Sequence, residues 1–173
     1  MLAQQSGKSN VVAAMKIGLI SDTHGHLDPR IANLFAGVEH ILHAGDVGGE
    51  ALLDELRAIA PVTAVLGNTD QDLRHCGCRD VERRTLGGKT FLVIHVGRPH
   101  GLTNEARQMI FDDDKPDMVV FGHTHHAERV VENGVVFVNP GSASRPRLHH
   151  SPSVAIAEIH PDSRLEVRWL TLE

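Results

Sequence analysis

Short apolar runs alternate with amphipathic stretches along the first half of the chain. The runs are typical of buried strands and lie at 16–20, 40–43 and 62–66. A helix is predicted from Asp28, an N-cap residue type, and Pro29, which favours the first helical position. A second helix is predicted over 50–60 and ends at Pro61. This alternation of strand and helix predicts an α/β fold around a parallel sheet.

The second half of the chain predicts more antiparallel pairing. Gly87-Gly88 and Asn133-Gly134 are two-residue turn signals of β-hairpins. The strands predicted in this half are 81–86, 90–96, 118–121, 127–132, 135–138, 153–159 and 165–170. Thr103 can cap one further helix, and 71–80 is expected to be a loop with one helical turn. The strands of this half are therefore expected to pair largely as hairpins.

Length and composition indicate one globular domain. The chain has 173 residues, of which 41% are hydrophobic and 23% charged. We expect residues 15–173 to form that domain and the polar residues 1–14 to be a disordered N-terminal extension. No run approaches the roughly 20 apolar residues that span a bilayer. The two cysteines are too few for a disulfide framework, so a cytoplasmic location is expected.

Charge and aromatic content argue against extended nucleic-acid binding. The formal net charge is −5, and the chain contains five Phe, one Trp and no Tyr. Such a chain has neither a basic surface nor aromatic platforms for bases. Exposed hairpin edges make a homodimer or higher oligomer reasonable.

Gly122-His123-Thr124-His125 follows the apolar run 118–121 directly. If the backbone stays extended there, His123 and His125 project to the same side and could serve one metal site. A His-x-His pair alone is weak evidence, because the chain contains thirteen histidines. The pair gains weight only from other residues.

Oxygen and nitrogen donors follow almost every predicted strand of the central region. They are Asp22, His24, Asp46, Asn68, His95, His123 and His125. Each is an ordinary turn or core residue when taken alone. Together they suit divalent transition ions, and seven donors exceed the need of one four-coordinate site. Two ions sharing a carboxylate would use such a set.

These residue blocks resemble the calcineurin-like metallophosphoesterases, especially the small single-domain phosphodiesterases of bacteria and archaea. The blocks are Asp22-x-His24, Gly45-Asp46, Gly67-Asn68, His95 and Gly122-His-x-His125, with the turn Asn139-Pro-Gly-Ser142. The resemblance implies a four-layer α/β/β/α sandwich with two mixed sheets. It also implies a binuclear metal centre, with Mn²⁺ expected and Ni²⁺, Fe²⁺, Zn²⁺ or Co²⁺ as alternatives.

The resemblance further implies residue roles. Asp22, His24 and His125 would hold one ion, and Asn68, His95 and His123 the other. Asp46 would bridge the two ions, and a metal-activated hydroxide would attack phosphorus in line with the leaving group. Asp46, Asn68 and His95 are thus the expected catalytic residues.

Two departures from the family pattern concern the leaving group and the substrate. Thr69 stands where larger members have a histidine, so no general acid is assigned. The small branch often has His-Gly-His at the fourth block, whereas this chain has His95-Val96-Gly97-Arg98-Pro99-His100. His100 could replace the displaced histidine, or Arg98 could bind phosphate, and both alternatives stay open.

The expected function is metal-dependent hydrolysis of a small phosphoester, with a diester favoured over a monoester. One alternative is a protein-interaction scaffold, since a retromer subunit shares this fold; another is metal binding without catalysis. The chain keeps all seven ligands, which a scaffold would not need. Cys76-Gly77-Cys78 beside His75 could be a separate soft-metal clip, although no second thiol pair exists.

Overall fold

The computed structural model describes residues 13–97, 102–111, 114–145 and 150–172. In these ranges the strands are β1 Met15–Ile20, β2 His40–His43, β3 Val62–Ala64, β4 Val81–Leu86, β5 Lys89–Ile94, β6 Met118–Val120, β7 Glu128–Glu132, β8 Val135–Asn139, β9 Ser153–Ile159 and β10 Leu165–Thr171. The helices are α1 Arg30–Leu34, α2 Glu50–Arg57, α3 Asn104–Phe111 and a 3-10 helix at Gln71–Cys76. Most of the predicted extension, residues 1–12, lies outside the described residues, as do Arg98 and His100.

The strands form two mixed five-stranded sheets. In the first, the order is β10-β9-β1-β2-β3, and β1, β2 and β3 are parallel. In the second, the order is β4-β5-β6-β8-β7, and β5, β6 and β8 are parallel. The second sheet therefore also contains three parallel strands, and they are its central strands. This differs from the sequence prediction, which expected largely antiparallel pairing in the second half of the chain.

Three apolar clusters define four layers. Alternate residues of β1 point to opposite faces, so Ile17 and Leu19 pack between the sheets with Phe91 and Val120 of the second sheet. On the outer face of the first sheet, α1 and α2 bury their apolar sides. On the outer face of the second sheet, Ile110 of α3 packs among strand residues. The predicted α/β/β/α sandwich of two mixed sheets is confirmed.

Several element ends differ from the predictions. Helix α2 stops at Arg57, and residues 58–60 form turns before Pro61. Strand β3 stops at Ala64, after which Val65 makes only an isolated bridge to Arg79. The predicted loop over 71–80 contains six residues of 3-10 helix rather than one helical turn. Such ends are set by tertiary contacts that local periodicity does not record.

The two hairpin turns predicted from glycine pairs are present. β4 and β5 pair antiparallel around Gly87-Gly88, and β7 and β8 pair around Asn133-Gly134. Both residues of each turn have positive φ, as a primed two-residue turn requires. None of the helices in the described ranges is long and apolar enough to cross a membrane.

Candidate metal centre

The seven predicted donors lie in the loops that follow β1, β2, β3, β5 and β6. All five strands are parallel members of their sheets, so their carboxyl ends meet along one edge of the sandwich. The described residues place these loops in contact: the amides of His24 and Asp22 donate to the carbonyls of Asp46 and Gly45. The fold therefore gathers side chains that are about 100 positions apart in sequence.

Asp22, His24, Asp46 and His125 form one cluster. One ligand atom from each lies within 4.8 Å of the others. His125 Nε2 is 3.1 Å from Asp22 Oδ1 and 3.4 Å from His24 Nε2. His24 Nε2 is 3.9 Å from Asp46 Oδ2. This arrangement brings together the three residues expected to hold one ion and the carboxylate expected to bridge.

His95 lies near the same Asp46 oxygen. Its Nε2 lies 3.5 Å from Asp46 Oδ2, and its ring centroid lies 5.2 Å from that of His123. Asn68 is exposed and lines one cleft together with His95. Asp46 Oδ2 thus lies within 4 Å of both His24 Nε2 and His95 Nε2, as a carboxylate oxygen shared by two ligand groups would.

The backbone at the ligand loops is unusual. Of the predicted ligands, Asp22, His24, Asp46, His123 and His125 have positive φ between 47° and 68°. Outside this group, the described non-glycine residues with positive φ are Asn133 and Ser163, both in hairpin turns. Left-handed backbone costs free energy outside glycine and concentrates at functional sites.

This conformation overturns the assumption of an extended backbone at His123 and His125. With φ of 68° and 59°, the two side chains do not share one side of a strand. His125 instead lies beside Asp22 and His24, and His123 lies beside His95. The backbone turns because the amide of His123 donates to Asp22 Oδ2, at 3.1 Å.

In His95 and His125, the proton is on Nδ1, and the lone pair of Nε2 faces a carboxylate oxygen. His95 Nδ1 donates to the Ala44 carbonyl at 2.8 Å, and His125 Nδ1 donates to the Arg145 carbonyl at 2.5 Å. In the neutral imidazole the Nε2 atoms then carry lone pairs. These lone pairs face Asp46 Oδ2 and Asp22 Oδ1, which are also acceptors.

Facing acceptors of this kind are stabilised by a proton or a metal ion between them. Among the described residues, Asp22 Oδ1 and His95 Nε2 are buried side-chain atoms without a hydrogen-bond partner. A buried unsatisfied acceptor is costly, and divalent ions bound at these two atoms would satisfy them. Hydrogen bonds that fix the second ring nitrogen are also the usual support of metal-binding histidines. The donor set therefore fits divalent metal ions.

The two carboxylates have opposite electrostatic surroundings. Burial raises the pKa of Asp22, and the Ser21 hydroxyl, at 2.7 Å, only partly offsets it. Burial also raises the pKa of Asp46, but hydrogen bonds from Thr69 and the charges of His95 and His24 outweigh it, so the net pKa is lowered. Thr69 donates its amide and its hydroxyl to Asp46 Oδ1, at 3.0 and 2.9 Å.

Two motif glycines allow these loops to approach closely. A Cβ on Gly67 would lie 2.2 Å from Asp46 Oδ1, and a Cβ on Gly122 would lie 2.7 Å from Asp22 Oδ2. Both distances are shorter than any ordinary contact, so a side chain would displace the neighbouring carboxylate. The glycine before each ligand block thus makes room for a ligand of another block.

The turn Asn139-Pro-Gly-Ser142 forms hydrogen bonds with two of the loops that carry the predicted ligands. Asn139 Nδ2 donates to the Gly122 carbonyl at 3.0 Å and to Thr124 Oγ1 at 2.9 Å. The hydroxyls of Ser142 and Ser144 donate to the Asp22 carbonyl. The turn thereby links the loop of Asp22 to the loop of His123 and His125, which explains why it belongs with the ligand blocks.

Asp70 and His43 were not singled out by the sequence. The buried Asp70 carboxylate accepts the amides of Val47, Gly48 and Gly67 at 2.9 to 3.0 Å, which joins the loops after β2 and β3. His43 Nδ1 accepts from the Gly45 amide, and its Nε2 donates to Thr23 Oγ1. Both read as ordinary turn or strand residues, because only the fold brings their partners near.

Comparisons with known proteins agree with this geometry. The model of the calcineurin-like phosphoesterase superfamily domain matches residues 15–162. A probable metallophosphoesterase from Methanothermobacter thermautotrophicus is 37% identical over 153 residues, covering 84% of this chain and 86% of that protein. A phosphodiesterase from Methanocaldococcus jannaschii is 30% identical and covers 92% of this chain and 100% of its own length.

Solved structures show the same fold. Vacuolar protein sorting 29 from Cryptosporidium parvum superposes with a TM-score of 0.70, covering 94% of this chain and 100% of that chain. The sequence identity is 20%, so this likeness concerns the fold alone.

Proposed function

Because the chain belongs to the calcineurin-like phosphoesterase superfamily, we propose that it is a binuclear-metal-dependent phosphodiesterase acting on a small substrate. The observation that carries this proposal is the set of unpartnered acceptors around Asp46 Oδ2. One cation between His125 and Asp22 would not reach the lone pair of His95 on the other side of Asp46. Two cations, one on each side, would satisfy both groups.

The proposed ligand roles are those that the family resemblance implies, and these positions support them. Asp22, His24 and His125 would hold one ion, and Asn68, His95 and His123 the other, with Asp46 between them. When bound, the ions would supply a nucleophilic hydroxide near neutral pH and neutralise charge on the phosphoryl oxygens. Asp46 stays ionised because Thr69 donates two hydrogen bonds to its other oxygen.

A cleft beside Asn68 and His95 can hold the organic group of a phosphoester. It has a volume of about 250 Å³ and includes the apolar side chains of Leu66, Ile94 and Ala106. An organic group would pack against this wall, and the preference for a diester rests on the similarity to the phosphodiesterase from Methanocaldococcus jannaschii. The polar atoms of Gln71 and Thr103 lie on the same cleft and can orient that group.

The leaving group is expected to depart with little help from the protein. Thr69 occupies the position of the histidine found in larger family members, and its hydroxyl donates to Asp46 Oδ1. Among the described residues, no side chain is assigned as a general acid. We therefore expect kcat/KM to rise steeply as the leaving group becomes more acidic.

The test is hydrolysis by the purified full chain loaded with Mn²⁺ or Ni²⁺. Aryl phosphodiesters with a graded series of phenols, the matching monoesters and cyclic nucleotides are compared. We expect metal-dependent turnover of diesters, faster than of monoesters, with about two ions bound per chain by elemental analysis. Faster monoester turnover would replace the diesterase with a monoesterase. Metal-loaded protein that hydrolyses neither class would overturn the enzyme proposal.

A further inference from the structure

A second group of metal-ligating side chains lies away from the candidate metal centre. Glu50 begins α2, while His75 and Cys76 end the 3-10 helix. One ligand atom from each lies within 4.8 Å of the others. Cys78 follows Gly77 and lines the same small cleft as Cys76. We refer to Glu50, His75, Cys76 and Cys78 as the thiol cluster.

Within the thiol cluster, the spacing of Glu50, His75 and Cys76 is close to that of a tetrahedral site. Cys76 Sγ lies 3.2 Å from His75 Nε2, and that nitrogen lies 3.9 Å from Glu50 Oε2. In a tetrahedral zinc site, ligand atoms about 2.0–2.3 Å from the ion lie about 3.3–3.8 Å from one another. Rotation of exposed side chains would close the difference, since Glu50 and His75 are more than half exposed.

The imidazole of His75 is oriented for coordination. Its Nδ1 donates to the carbonyl of Asp72, which leaves the lone pair of Nε2 directed at Cys76 and Glu50. This second-nitrogen hydrogen bond to a carbonyl is the usual support of a metal-binding histidine. An exposed Glu-His ion pair alone would contribute little, so the alignment has no evident role in stability.

We propose that the thiol cluster is a second, independent site for a thiolate-preferring divalent ion such as Zn²⁺. Binding would replace the proton of each thiol by a metal–sulfur bond and release those protons to solvent. The site would connect the start of α2 with the end of the 3-10 helix. Helix α2 follows the loop of Asp46, and the 3-10 helix follows the loop of Asn68. An ion at this site would therefore stabilise the positions of both loops.

Burial and the neighbouring Glu50 raise the pKa of Cys76. The free thiol is consequently protonated and unreactive at neutral pH, and Zn²⁺ would favour its ionised form. Arg57 lines the same cleft, its charge lowers the pKa of both cysteines, and its guanidinium donates to Asp54 at 2.8 Å.

The test is titration of the reduced full chain with Cd²⁺ and observation of thiolate-to-cadmium charge-transfer absorption. The chain has two cysteines and the candidate metal centre has none, so this absorption reports the thiol cluster alone. We expect the signal to saturate with one ion and to be displaced by Zn²⁺. It should persist in Asp46→Asn and disappear in the double variant Cys76→Ser, Cys78→Ser.

The remaining donors are tested by His75→Ala and Glu50→Gln, with His160→Ala as the matched control. We expect His75→Ala to weaken Cd²⁺ binding at least about tenfold and His160→Ala to leave it unchanged. Absence of charge-transfer absorption would overturn the proposal, and so would a signal indifferent to both His75→Ala and Glu50→Gln. Neither measurement uses hydrolysis, so failure here leaves the proposed phosphodiesterase unaffected, and failure of that activity leaves this site unaffected.

Discussion

The loops after β1 and β2 each present a carboxylate on a left-handed backbone, yet the protein treats the two charges differently. Asp22 is fully buried, and burial raises its pKa. Asp46 receives two hydrogen bonds from Thr69, and its pKa is lowered. The comparison indicates that hydrogen bonds and charges outweigh burial at Asp46 but not at Asp22.

The positions of the two carboxylates differ as well. Asp46 Oδ2 lies 3.9 Å from His24 Nε2 and 3.5 Å from His95 Nε2, so it would belong to both halves of the proposed binuclear centre. Asp22 Oδ1 faces His125 and belongs to one half. Loss of the Asp46 charge should therefore affect both ions, and loss of the Asp22 charge chiefly one.

Asp46→Asn is expected to have the largest effect. Removing the shared charge should lower diesterase kcat/KM about 1,000-fold, or about 4 kcal/mol, and reduce binding of both ions. The measurement is kcat/KM together with metal content. Asp54→Asn, an exposed aspartate of α2, is the matched control and should be neutral. Activity within a few-fold of wild type in Asp46→Asn would show that Asp46 is not shared.

The buried His43 connects the two loops and gives the next largest effect. Burial lowers its pKa from 6.5 to about 4, because the charged ring would lose its solvation. The stabilisation from keeping it neutral is complete above pH 6.5 and is lost as the pH falls to about 4. This linkage amounts to roughly 3 kcal/mol.

Chemical denaturation in a chelator, from about pH 7 to about pH 4, measures that loss. His43→Gln can still donate to Thr23 and does not ionise, so its stability should fall by about 3 kcal/mol less than wild type over this range. His126→Gln, at an exposed position, is the control and should behave as wild type. If the free energy of unfolding depended on pH in the same way in wild type and His43→Gln, His43 would not be a buried neutral histidine.

Hydrophobic periodicity predicted an α/β fold around a parallel sheet, whereas the sandwich of two sheets was implied by the resemblance to the metallophosphoesterases. Ile17, Leu19 and Ile20 alternate between the two faces of β1, and that alternation is local information. The conformation of His123 and His125 is not local, since it depends on an amide hydrogen bond to Asp22 from about 100 residues away. An extended strand end was therefore the wrong expectation.

The candidate ligands could be predicted from the sequence, but the residues that hydrogen-bond to the ligand loops could not. Donors at strand ends follow from the chain order alone, and the structure places those of the described residues along one edge. Asp70 looked like any turn residue, because two of the three amides from which it accepts hydrogen bonds lie in the loop after β2. The roles proposed for the ligands, the extension over residues 1–14 and the homodimer stay predictions.

Asp22→Asn tests the other carboxylate, which is expected to bind one ion only. We expect diesterase kcat/KM to fall about 100-fold, or about 2.7 kcal/mol, with loss of one ion. In the metal-free protein the new amide can donate to His125 Nε2, so the free energy of unfolding should rise by about 1 kcal/mol. Metal analysis and denaturation in a chelator measure both. Retention of two ions, or destabilisation of the metal-free protein, would contradict the role of Asp22.

Thr69→Val has the smallest expected effect and separates the hydroxyl from the backbone. The variant keeps the amide donated to Asp46 Oδ1 and removes the hydroxyl at 2.9 Å. With one hydrogen bond fewer, the pKa of Asp46 rises, so protons compete with metal at higher pH. We expect metal affinity to fall about tenfold, or about 1.4 kcal/mol, and the acid limb of kcat/KM to shift to higher pH. Thr69→Ser keeps a hydroxyl donor and should therefore restore both the metal affinity and the acid limb of kcat/KM. If Thr69→Val loses activity while its acid limb stays unchanged, the hydroxyl would instead contact the substrate.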